Sequence, residues 1–247
     1  MAALAQELNV ATEQARLAQV AEFYDSRKGM SYRLVKAGAE LICRHANGPR
    51  LLELGCASGV MTEIFAARFP EVVVVEGAEM YADAVRAIVG QANVYRCLFE
   101  EFQPTVLFNE IVMAGVLEHV AEPVELLRRA AGWLAPGGSI HVMVPNAYSL
   151  HRIVGVRMGM LSRPDELNSA DVAMGHRRVY SPNLLKSHVL ASGLEIMSLE
   201  GSFMKPLSNQ QMIDLPERLL DALQDAGQEF PEFCAELYLQ CRVPQSH

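Results

Sequence analysis

The sequence has little of what is typical of nucleic-acid-binding and membrane proteins. Its 247 residues include 21 basic and 29 acidic ones, which gives a formal net charge of -8. It therefore lacks the basic surface expected of a protein that follows a phosphate backbone. Its longest purely aliphatic runs, such as 72–75, are too short to cross a membrane. We expect a small-molecule partner and neither nucleic acid nor membrane.

The sequence also lacks a cysteine framework and a basic, apolar leader. Its five cysteines are Cys43, Cys56, Cys97, Cys234 and Cys241. They are odd in number and follow neither a disulfide nor a zinc spacing, so we expect them to be reduced core residues and expect no metal site. The first twenty residues are rich in Ala, Glu and Gln, unlike a signal peptide. We expect a soluble, cytoplasmic protein. Its oligomeric state is left open, with a homodimer as one alternative.

Aliphatic runs of strand length alternate with segments whose apolar residues have helical spacing. A Pro-Gly-Gly turn at 136–138 separates one such helix from the next strand. This alternation predicts an open, doubly wound α/β sheet with helices on both faces. The predicted strands are 50–55, 71–76, 93–97, 109–114 and 138–145, and the predicted helices between them are 59–69, 78–89 and 122–134.

The two ends of the chain depart from this alternation. Two amphipathic helices are predicted ahead of the sheet, and the segments after Pro145 are irregular. We therefore predict an N-terminal helical cap over 1–46 and one domain over 47–247, with helical insertions after its fifth and sixth strands. The predicted segments are helices 4–24 and 31–46, insertion 147–180, helix 181–192, strand 194–203, helix 209–227, strand 232–243, and a substrate-side segment 203–230.

The stretch "LLELGCASGV", residues 51–60, is where a ligand is expected. In an open α/β sheet the ligand lies beyond the carboxyl end of the first strand, where small residues let the backbone approach it. Glu76, at the end of the next strand, can accept hydrogen bonds from both hydroxyls of a ribose. Ala57 and Val60 stand where a dinucleotide fingerprint has glycine, which disfavours a pyrophosphate. The sequence predicts a nucleoside site.

Four motifs in order resemble those of class I S-adenosylmethionine-dependent methyltransferases of the small-molecule type. They are the loop from Glu53 to Gly59, the acid Glu76, "FNEIVMAGVLEHV" and "LAPGGSIHVMVPN". The resemblance covers about residues 20–203. It implies a Rossmann-like methyltransferase fold with a mostly parallel, seven-stranded sheet. It also implies S-adenosylmethionine as the cofactor, although Ala57 stands where many members have glycine.

The resemblance implies roles for single residues. The acid at position 53 is expected near the methionine moiety, since a buried carboxylate is costly without a partner, and Glu76 near the ribose. An aromatic of the cap closes over the cofactor in similar proteins. The alternative for Glu53 is a structural acid that caps nearby backbone, and the alternative for Phe99 is a core phenylalanine. The alternative for the cap is a plain pair of amphipathic helices. The candidate cofactor-binding residues are Tyr24, Glu53, Gly55, Ala57, Gly59, Glu76, Leu98, Phe99, Ala114 and Glu118.

Methyl transfer to a hydroxyl or an ammonium requires that a proton be removed, and histidine is the usual base near neutral pH. The stretch "AMGHRRVYSPNLL" is similar to a Gly-His-x-Arg-x-Tyr segment of many small-molecule methyltransferases. His176 is the first candidate for base or acceptor contact, with His119 and Tyr180 as further catalytic candidates. The alternative for His176 is a histidine that fixes the loop through backbone hydrogen bonds.

The acceptor is expected to be a small, anionic molecule. The insertion supplies several basic residues in an otherwise acidic protein, although surface arginines are also common. A tetrapeptide with two prolines, typical of enzymes that methylate exocyclic amino groups, is absent after the fourth strand. Oxygen and nitrogen acceptors both stay open. The candidate substrate-binding residues are Asn146, His151, Arg178 and Lys205.

Three other functions compete with methyl transfer. An enzyme of the same fold could cleave or cyclise the cofactor and release methylthioadenosine, with Asn146 and Tyr180 positioning the amine. A noncatalytic binding module would keep the fold and bind the cofactor without turnover. A nicotinamide dehydrogenase is disfavoured by Ala57 and Val60.

Overall fold

The computed structural model describes residues 10–245 and, among them, the side chains of 12–245. They form one seven-stranded sheet with flanking helices. The strands are β1 (Arg50–Leu54), β2 (Glu71–Val75), β3 (Val94–Tyr95), β4 (Phe108–Ala114), β5 (Leu134–Pro145), β6 (Glu195–Met204) and β7 (Cys234–Arg242). The described α-helices are α1 (Val10–Phe23), α2 (Gly29–His45), α3 (Val60–Arg68), α4 (Glu79–Val89), α5 (Pro123–Ala131), α6 (Leu150–Arg157), α7 (Ser169–Ala173), α8 (Pro182–Ala191), α9 (Asn209–Met212) and α10 (Glu217–Ala226).

The strand order confirms the predicted doubly wound, mostly parallel sheet. The strands lie in the order β3-β2-β1-β4-β5-β7-β6. β1 pairs in parallel with both β2 and β4, and β7 is antiparallel between β5 and β6. The chain leaves β1 toward β2 on one side and returns to β4 on the other. The crevice at this change of direction opens at the carboxyl ends of β1 and β4.

The core is divided between the two faces of the sheet because successive strand residues point to opposite faces. Leu52 and Leu54 belong to the cluster that includes Leu126 of α5 and Leu185 of α8. Leu51 belongs to the other cluster, with residues of α2, α3 and α4. The helices of both faces thereby fix the central strands whose carboxyl ends carry the ligand crevice.

Three predicted elements differ in their bounds. The single helix predicted over 209–227 is broken into α9 and α10, because Pro216 lacks an N–H and disfavours a helical residue before it. The strand predicted over 93–97 is only two residues long, since a 3₁₀ turn occupies 91–93. β5 begins before the Pro-Gly-Gly residues, which form an irregularity between the Phe108–Leu134 and Glu110–Ser139 pairs.

The ends of the chain fit the prediction where they are described. α1 and α2 precede the sheet, and the insertion over 147–180 contains α6 and α7. Residues 4–9 of the first predicted helix lie outside the described residues. The division into a cap over 1–46 and a domain over 47–247 stays a prediction. No helix within 10–245 is long and apolar enough to span a membrane.

A polar cluster is buried inside the sheet, on three neighbouring strands, β4, β5 and β7. His141 is fully buried, and its Nε2 lies 2.7 Å from Oε2 of Glu110 while its Nδ1 lies 2.8 Å from the Tyr238 hydroxyl. The backbone N–H of Asn47 donates to Oε1 of Glu110 over 2.8 Å. We call Glu110, His141 and Tyr238 the sheet cluster. Both ring nitrogens of the histidine and both oxygens of the acid have partners.

Candidate active site

The loop between β1 and α3 has an unusual backbone. Gly55, Ala57 and Gly59 all have positive φ, at 74°, 44° and 83°. Such angles are uncommon for a residue with a side chain, so Ala57 is held in a conformation that favours glycine. The N–H of Gly55 donates to the carbonyl of Val75 over 2.9 Å, which ties the start of the loop to β2.

The two glycines of the loop have different surroundings. Gly55 lies on a cavity, and a Cβ added there would be 3.3 Å from Cγ2 of Val116. Gly59 does not line that cavity, contrary to its predicted contact with the cofactor. A Cβ at this position would lie only 2.8 Å from Cγ1 of Val85 on α4. Gly59 therefore permits the close packing of α3 against α4.

Glu76 closes the loop from the neighbouring strand. Its Oε1 accepts from the N–H of Ala78 over 2.8 Å, and its Oε2 accepts from the N–H of Cys56 over 3.1 Å. The side chain is 6% exposed, and its burial raises the pKa of the carboxyl group. These bonds hold the acid at the edge of the cavity, between the ends of β1 and β2.

Glu53 is the acid on the buried strand β1. Its side chain is 2% exposed and lines the cavity, and its Oε2 accepts from the hydroxyl of Thr62 over 2.7 Å. Burial raises its pKa to about 8, which the Thr62 hydrogen bond opposes and the nearby Glu76 reinforces. No basic side chain of the described residues forms an ion pair with Glu53. A cationic ligand group would supply the missing partner.

One cavity of about 700 Å³ extends from Glu53 and Glu76 to a second set of polar residues, at the ends of β4, β5 and β7. Tyr24, at the end of α1, lines it and accepts a 2.5 Å hydrogen bond at its carbonyl from the Tyr81 hydroxyl. Burial raises the pKa of the Tyr24 hydroxyl. Of the ten predicted cofactor-binding residues, all but Gly59 line the cavity: Tyr24, Glu53, Gly55, Ala57, Glu76, Leu98, Phe99, Ala114 and Glu118.

The other half of the cavity lies at the ends of β4, β5 and β7. Asn146 lines it, but its side chain is used by the protein itself. Its Nδ2 donates to the carbonyls of Glu232 and Cys234, over 2.8 and 2.9 Å, and its Oδ1 accepts from the N–H of Tyr148 over 2.9 Å. Asn146 therefore fixes the edge of β5 against β7, and its polar atoms are not free for an acceptor.

His151 and Lys205 line this half with fewer partners. Nδ1 of His151 is buried and has no hydrogen bond within the described part of the chain. Burial, and then the Lys205 cation, lower the pKa of His151 to about 3. Lys205 is 9% exposed, and burial lowers its pKa to about 8 although Glu236 opposes the shift. Glu236, on β7, also lines the cavity and was not among the predicted site residues.

His176 is oriented by an acid that the sequence analysis did not single out. Nδ1 of His176 lies 3.2 Å from Oδ1 of Asp171, and Nη1 of Arg152 donates to Oδ2 of Asp171 over 3.0 Å. Burial opposes ionisation of Asp171, but bonds from His176, Asn168 and Arg152 lower its pKa to about 2. The Asn-x-x-Asp capping box at the start of α7 was the available sequence signal.

Glu118 and His119 follow β4 and lie beside His176. The rings of His119 and His176 are 4.8 Å apart, edge to face, and Nε2 of His119 lies 4.0 Å from Oε1 of Glu118. We call these three residues the cavity cluster. Burial raises the pKa of Glu118 to about 8 and, with the His176 ring and Arg16, lowers that of His119 to about 3.

Arg178 and Tyr180 do not line the cavity, contrary to their predicted roles. Nη1 of Arg178 donates to the carbonyls of Leu117 and Val120 over 2.6 and 2.7 Å. Tyr180 is fully buried, and its hydroxyl lies 3.3 Å from the carbonyl of Leu117 and 3.1 Å from Nδ1 of His188. Both residues therefore stabilise the segment that carries Glu118 and His119.

Comparison with known proteins agrees with this geometry. A family described as methyltransferase domain matches residues 26–199, more than half of the chain. A ubiquinone biosynthesis O-methyltransferase of Aeromonas salmonicida is 27% identical over 173 residues, which are 66% of this chain and 70% of the relative. A trans-aconitate 2-methyltransferase of Methylobacterium nodulans is 33% identical over 138 residues, 52% of this chain and 49% of the relative.

Solved structures show the same fold at low sequence identity. The 1,6-didemethyltoxoflavin-N1-methyltransferase of Burkholderia thailandensis, with bound S-adenosylhomocysteine, has a TM-score of 0.63 and 15% identity. The alignment covers 99% of this chain and 94% of that one. These comparisons do not favour the alternative in which the cofactor is cleaved or cyclised. The chain belongs to the class I S-adenosylmethionine-dependent methyltransferases, and it is an enzyme that uses S-adenosylmethionine as its cofactor.

Proposed function

We propose that the protein transfers the methyl group of S-adenosylmethionine to an oxygen or nitrogen atom of a small, anionic acceptor. The observation that carries the proposal is the continuity of the cavity of about 700 Å³. One half has Glu53 and Glu76 at the ends of β1 and β2. The other has His151 on α6, Lys205 directly after β6, and the cavity cluster.

The proposal places the cofactor in the first half of the cavity. Glu76, held by two backbone N–H groups, would accept hydrogen bonds from the ribose hydroxyls. Glu53 would face the ammonium group of the methionine moiety, whose charge favours the ionised carboxylate. Phe99 would pack on the adenine ring. The methyl group would then be directed along the end of β4, at Ala114, toward the second half.

The second half would hold the acceptor. A buried lysine without an ion pair among the described residues is a suitable partner for a carboxylate or phosphate of the acceptor. Nδ1 of His151, buried and without a hydrogen-bond partner in the described part of the chain, would contact the same group. Lys205 and His151 therefore support an anionic acceptor.

The reaction requires alignment more than covalent chemistry by the protein. The acceptor atom forms a bond to the methyl carbon while the carbon–sulfur bond breaks, and that electron pair stays on sulfur. The acceptor also loses a proton. His176 and His119, which line the cavity beside Glu118, are positioned to act on the nucleophile. They can do so by taking its proton or by holding a cation that acidifies it.

The test is to incubate the protein with S-adenosylmethionine and small carboxylates that carry a hydroxyl or an amino group. We expect S-adenosylhomocysteine and an acceptor heavier by one methylene unit, both measured by liquid chromatography and mass spectrometry. Methylthioadenosine as the product would contradict methyl transfer. Calorimetric titration with S-adenosylmethionine in the absence of acceptor measures the cofactor site separately.

A pair of glycine variants ties the result to the cavity. Gly55→Arg places a long side chain in the cofactor half and is expected to abolish binding of S-adenosylmethionine. Gly137→Arg is the matched control, because Gly137 also has a positive φ, 79°, but has open space around it and does not line the cavity. Equal losses of binding in both variants would contradict the cofactor placement.

A further inference from the structure

The cavity cluster brings together three side chains that can ligate a metal ion. Glu118, His119 and His176 each offer one ligand atom, and these atoms all lie within 4.8 Å of one another. All three residues line the acceptor half of the cavity. No metal-ligand spacing is visible in the sequence, because Glu118 and His119 follow β4 whereas His176 lies beyond the insertion helices.

The imidazoles of His119 and His176 each have a neighbouring acceptor group that orients the ring. Nδ1 of His176 lies 3.2 Å from the carboxylate of Asp171, which Arg152 holds in place. The carbonyl of Gly175 lies beside the imidazole of His119 as an acceptor for one ring nitrogen. A histidine that ligates a metal almost always gives its other ring nitrogen to a carboxylate or a backbone carbonyl. Nδ1 of His176 is buried and close to Asp171 without a well-aligned hydrogen bond among the described residues, so the carboxylate orients this ring by its charge and leaves the other ring nitrogen for a ligand.

The third side chain has an unused ligand atom. Glu118 is 2% exposed, and its Oε2 has no hydrogen-bond partner within the described residues. A buried carboxylate oxygen without a partner is costly, and a bound cation removes that cost. The backbone around it is held in place, since the N–H of Arg177 donates to the carbonyl of Glu118 over 2.8 Å.

We propose that Glu118, His119 and His176 bind one divalent first-row transition-metal ion. Two imidazoles and one carboxylate suit Zn²⁺, Fe²⁺ and Co²⁺ better than Mg²⁺, which prefers a set of oxygen ligands. Three protein ligands leave coordination positions open. Because the cluster lines the acceptor half of the cavity, an acceptor oxygen can occupy these open positions.

This inference rests on the proposed methyl transfer and makes it more specific. A metal ion in this place lowers the pKa of an acceptor hydroxyl, so the proton is lost to solvent before the methyl group arrives. His176 is then a ligand and not the base. The acceptor class that the site favours is a small anion with a hydroxyl group, and the atom that receives the methyl group is oxygen.

The test measures metal binding directly. Chelator-treated protein without a polyhistidine tag is titrated with Zn²⁺ by calorimetry and with Co²⁺ by visible absorption. We expect one ion per chain. Glu118→Gln and His176→Ala should each weaken binding by about 100-fold or more, and Asp171→Asn, which acts through His176, by about 10- to 100-fold.

A matched control comes from the same cavity. His151→Gln changes a histidine that lines the acceptor half but lies outside the cluster, and it should leave Zn²⁺ affinity unchanged. Binding of S-adenosylmethionine by every variant shows that it has folded. Absence of Zn²⁺ binding by protein that binds the cofactor would overturn the proposal, as would affinity that Glu118→Gln does not change.

The metal site and the proposed function can fail separately. If metal-free protein forms S-adenosylhomocysteine as fast as the loaded protein, the metal role in catalysis is wrong and methyl transfer stands. If the loaded protein binds both metal and cofactor but produces methylthioadenosine, methyl transfer is wrong and the metal site stands.

Discussion

The sheet cluster and the cavity cluster use the same residue types in different ways. Glu110 and His141 form a 2.7 Å contact, and all four of their side-chain N and O atoms have partners. In the cavity cluster, Glu118 and His119 are 4.0 Å apart, and Oε2 of Glu118 has no partner among the described residues. Both clusters are largely buried.

The difference shows which cluster serves the fold. Buried polar groups are almost always hydrogen-bonded, so a complete set of partners, as around His141, indicates a structural role. An incomplete set beside a cavity indicates that a ligand supplies what is missing. Histidine and glutamate alone do not distinguish the two clusters, and neither does burial. Each cluster therefore calls for a different measurement, stability for one and binding for the other.

The largest expected effect is on stability. His141→Leu leaves the Glu110 carboxylate buried without its partner and should lower the free energy of unfolding by about 3–5 kcal/mol. Urea denaturation measures it. The control is Arg242→Leu, because Arg242 forms an ion pair with Glu195 at a partly exposed site and should cost about 1 kcal/mol or less. Equal losses would contradict the structural role of the sheet cluster.

The second expected effect, on the cavity cluster, is a loss of activity with little loss of stability. Glu118→Gln keeps the shape of the side chain and replaces a buried carboxyl group whose pKa of about 8 leaves it mostly protonated near neutral pH, so the free energy of unfolding should change by about 1 kcal/mol or less. Activity, measured as kcat/KM for S-adenosylhomocysteine formation, should fall about 100-fold. A variant that loses stability as His141→Leu does would show that the cavity cluster is also structural.

Much of the fold could be predicted because its signals are local. The aliphatic runs and small-residue turns placed β1, β2 and β4 within one or two residues. The loop after β1 and Glu76 were expected side by side because the carboxyl ends of neighbouring parallel strands meet at one edge of the sheet. Pro216 was visible, but the apolar pattern across it favoured one helix.

The acceptor half could not be predicted in the same way. It depends on tertiary contacts between distant segments, such as the Arg178 bonds to the carbonyls of Leu117 and Val120. Arg178 and Tyr180 were predicted at the ligand because they belong to the same Gly-His-x-Arg-x-Tyr segment as His176. In the structure their side chains instead contact backbone carbonyls of the segment that carries Glu118 and His119. Asp171 and Glu236 had no signal strong enough to single them out.

A third, smaller effect tests the anionic acceptor. Lys205→Met keeps the apolar stem and removes the charge, so KM for the acceptor should rise about tenfold, equivalent to about 1.4 kcal/mol. The affinity for S-adenosylmethionine, measured by calorimetry, should be unchanged. Lys186→Met on α8 is the control, because Lys186 does not line the cavity. A change in cofactor affinity with no change in KM would contradict the assignment of Lys205 to the acceptor.

The smallest effect concerns the other acid without an ion pair, Glu53 in the cofactor half. Burial raises its pKa to about 8, so the carboxyl group of the free protein is mostly protonated near neutral pH. A cationic ligand favours the ionised form. Affinity for S-adenosylmethionine should therefore increase with pH below this pKa, by about threefold for each half unit.

Calorimetric titrations at about pH 6.5 and about pH 7 measure this pH dependence of cofactor affinity. Glu53→Gln should weaken binding at both values and remove the dependence. Glu63→Gln should retain it, since Glu63 is half-exposed and paired with Arg27. The same raised pKa predicts that the free protein loses stability as pH rises from about 4.5 toward about 8, because folding then holds a proton that the unfolded chain releases. Cofactor binding should offset that loss, and an equal loss in Glu53→Gln would show that another group causes it.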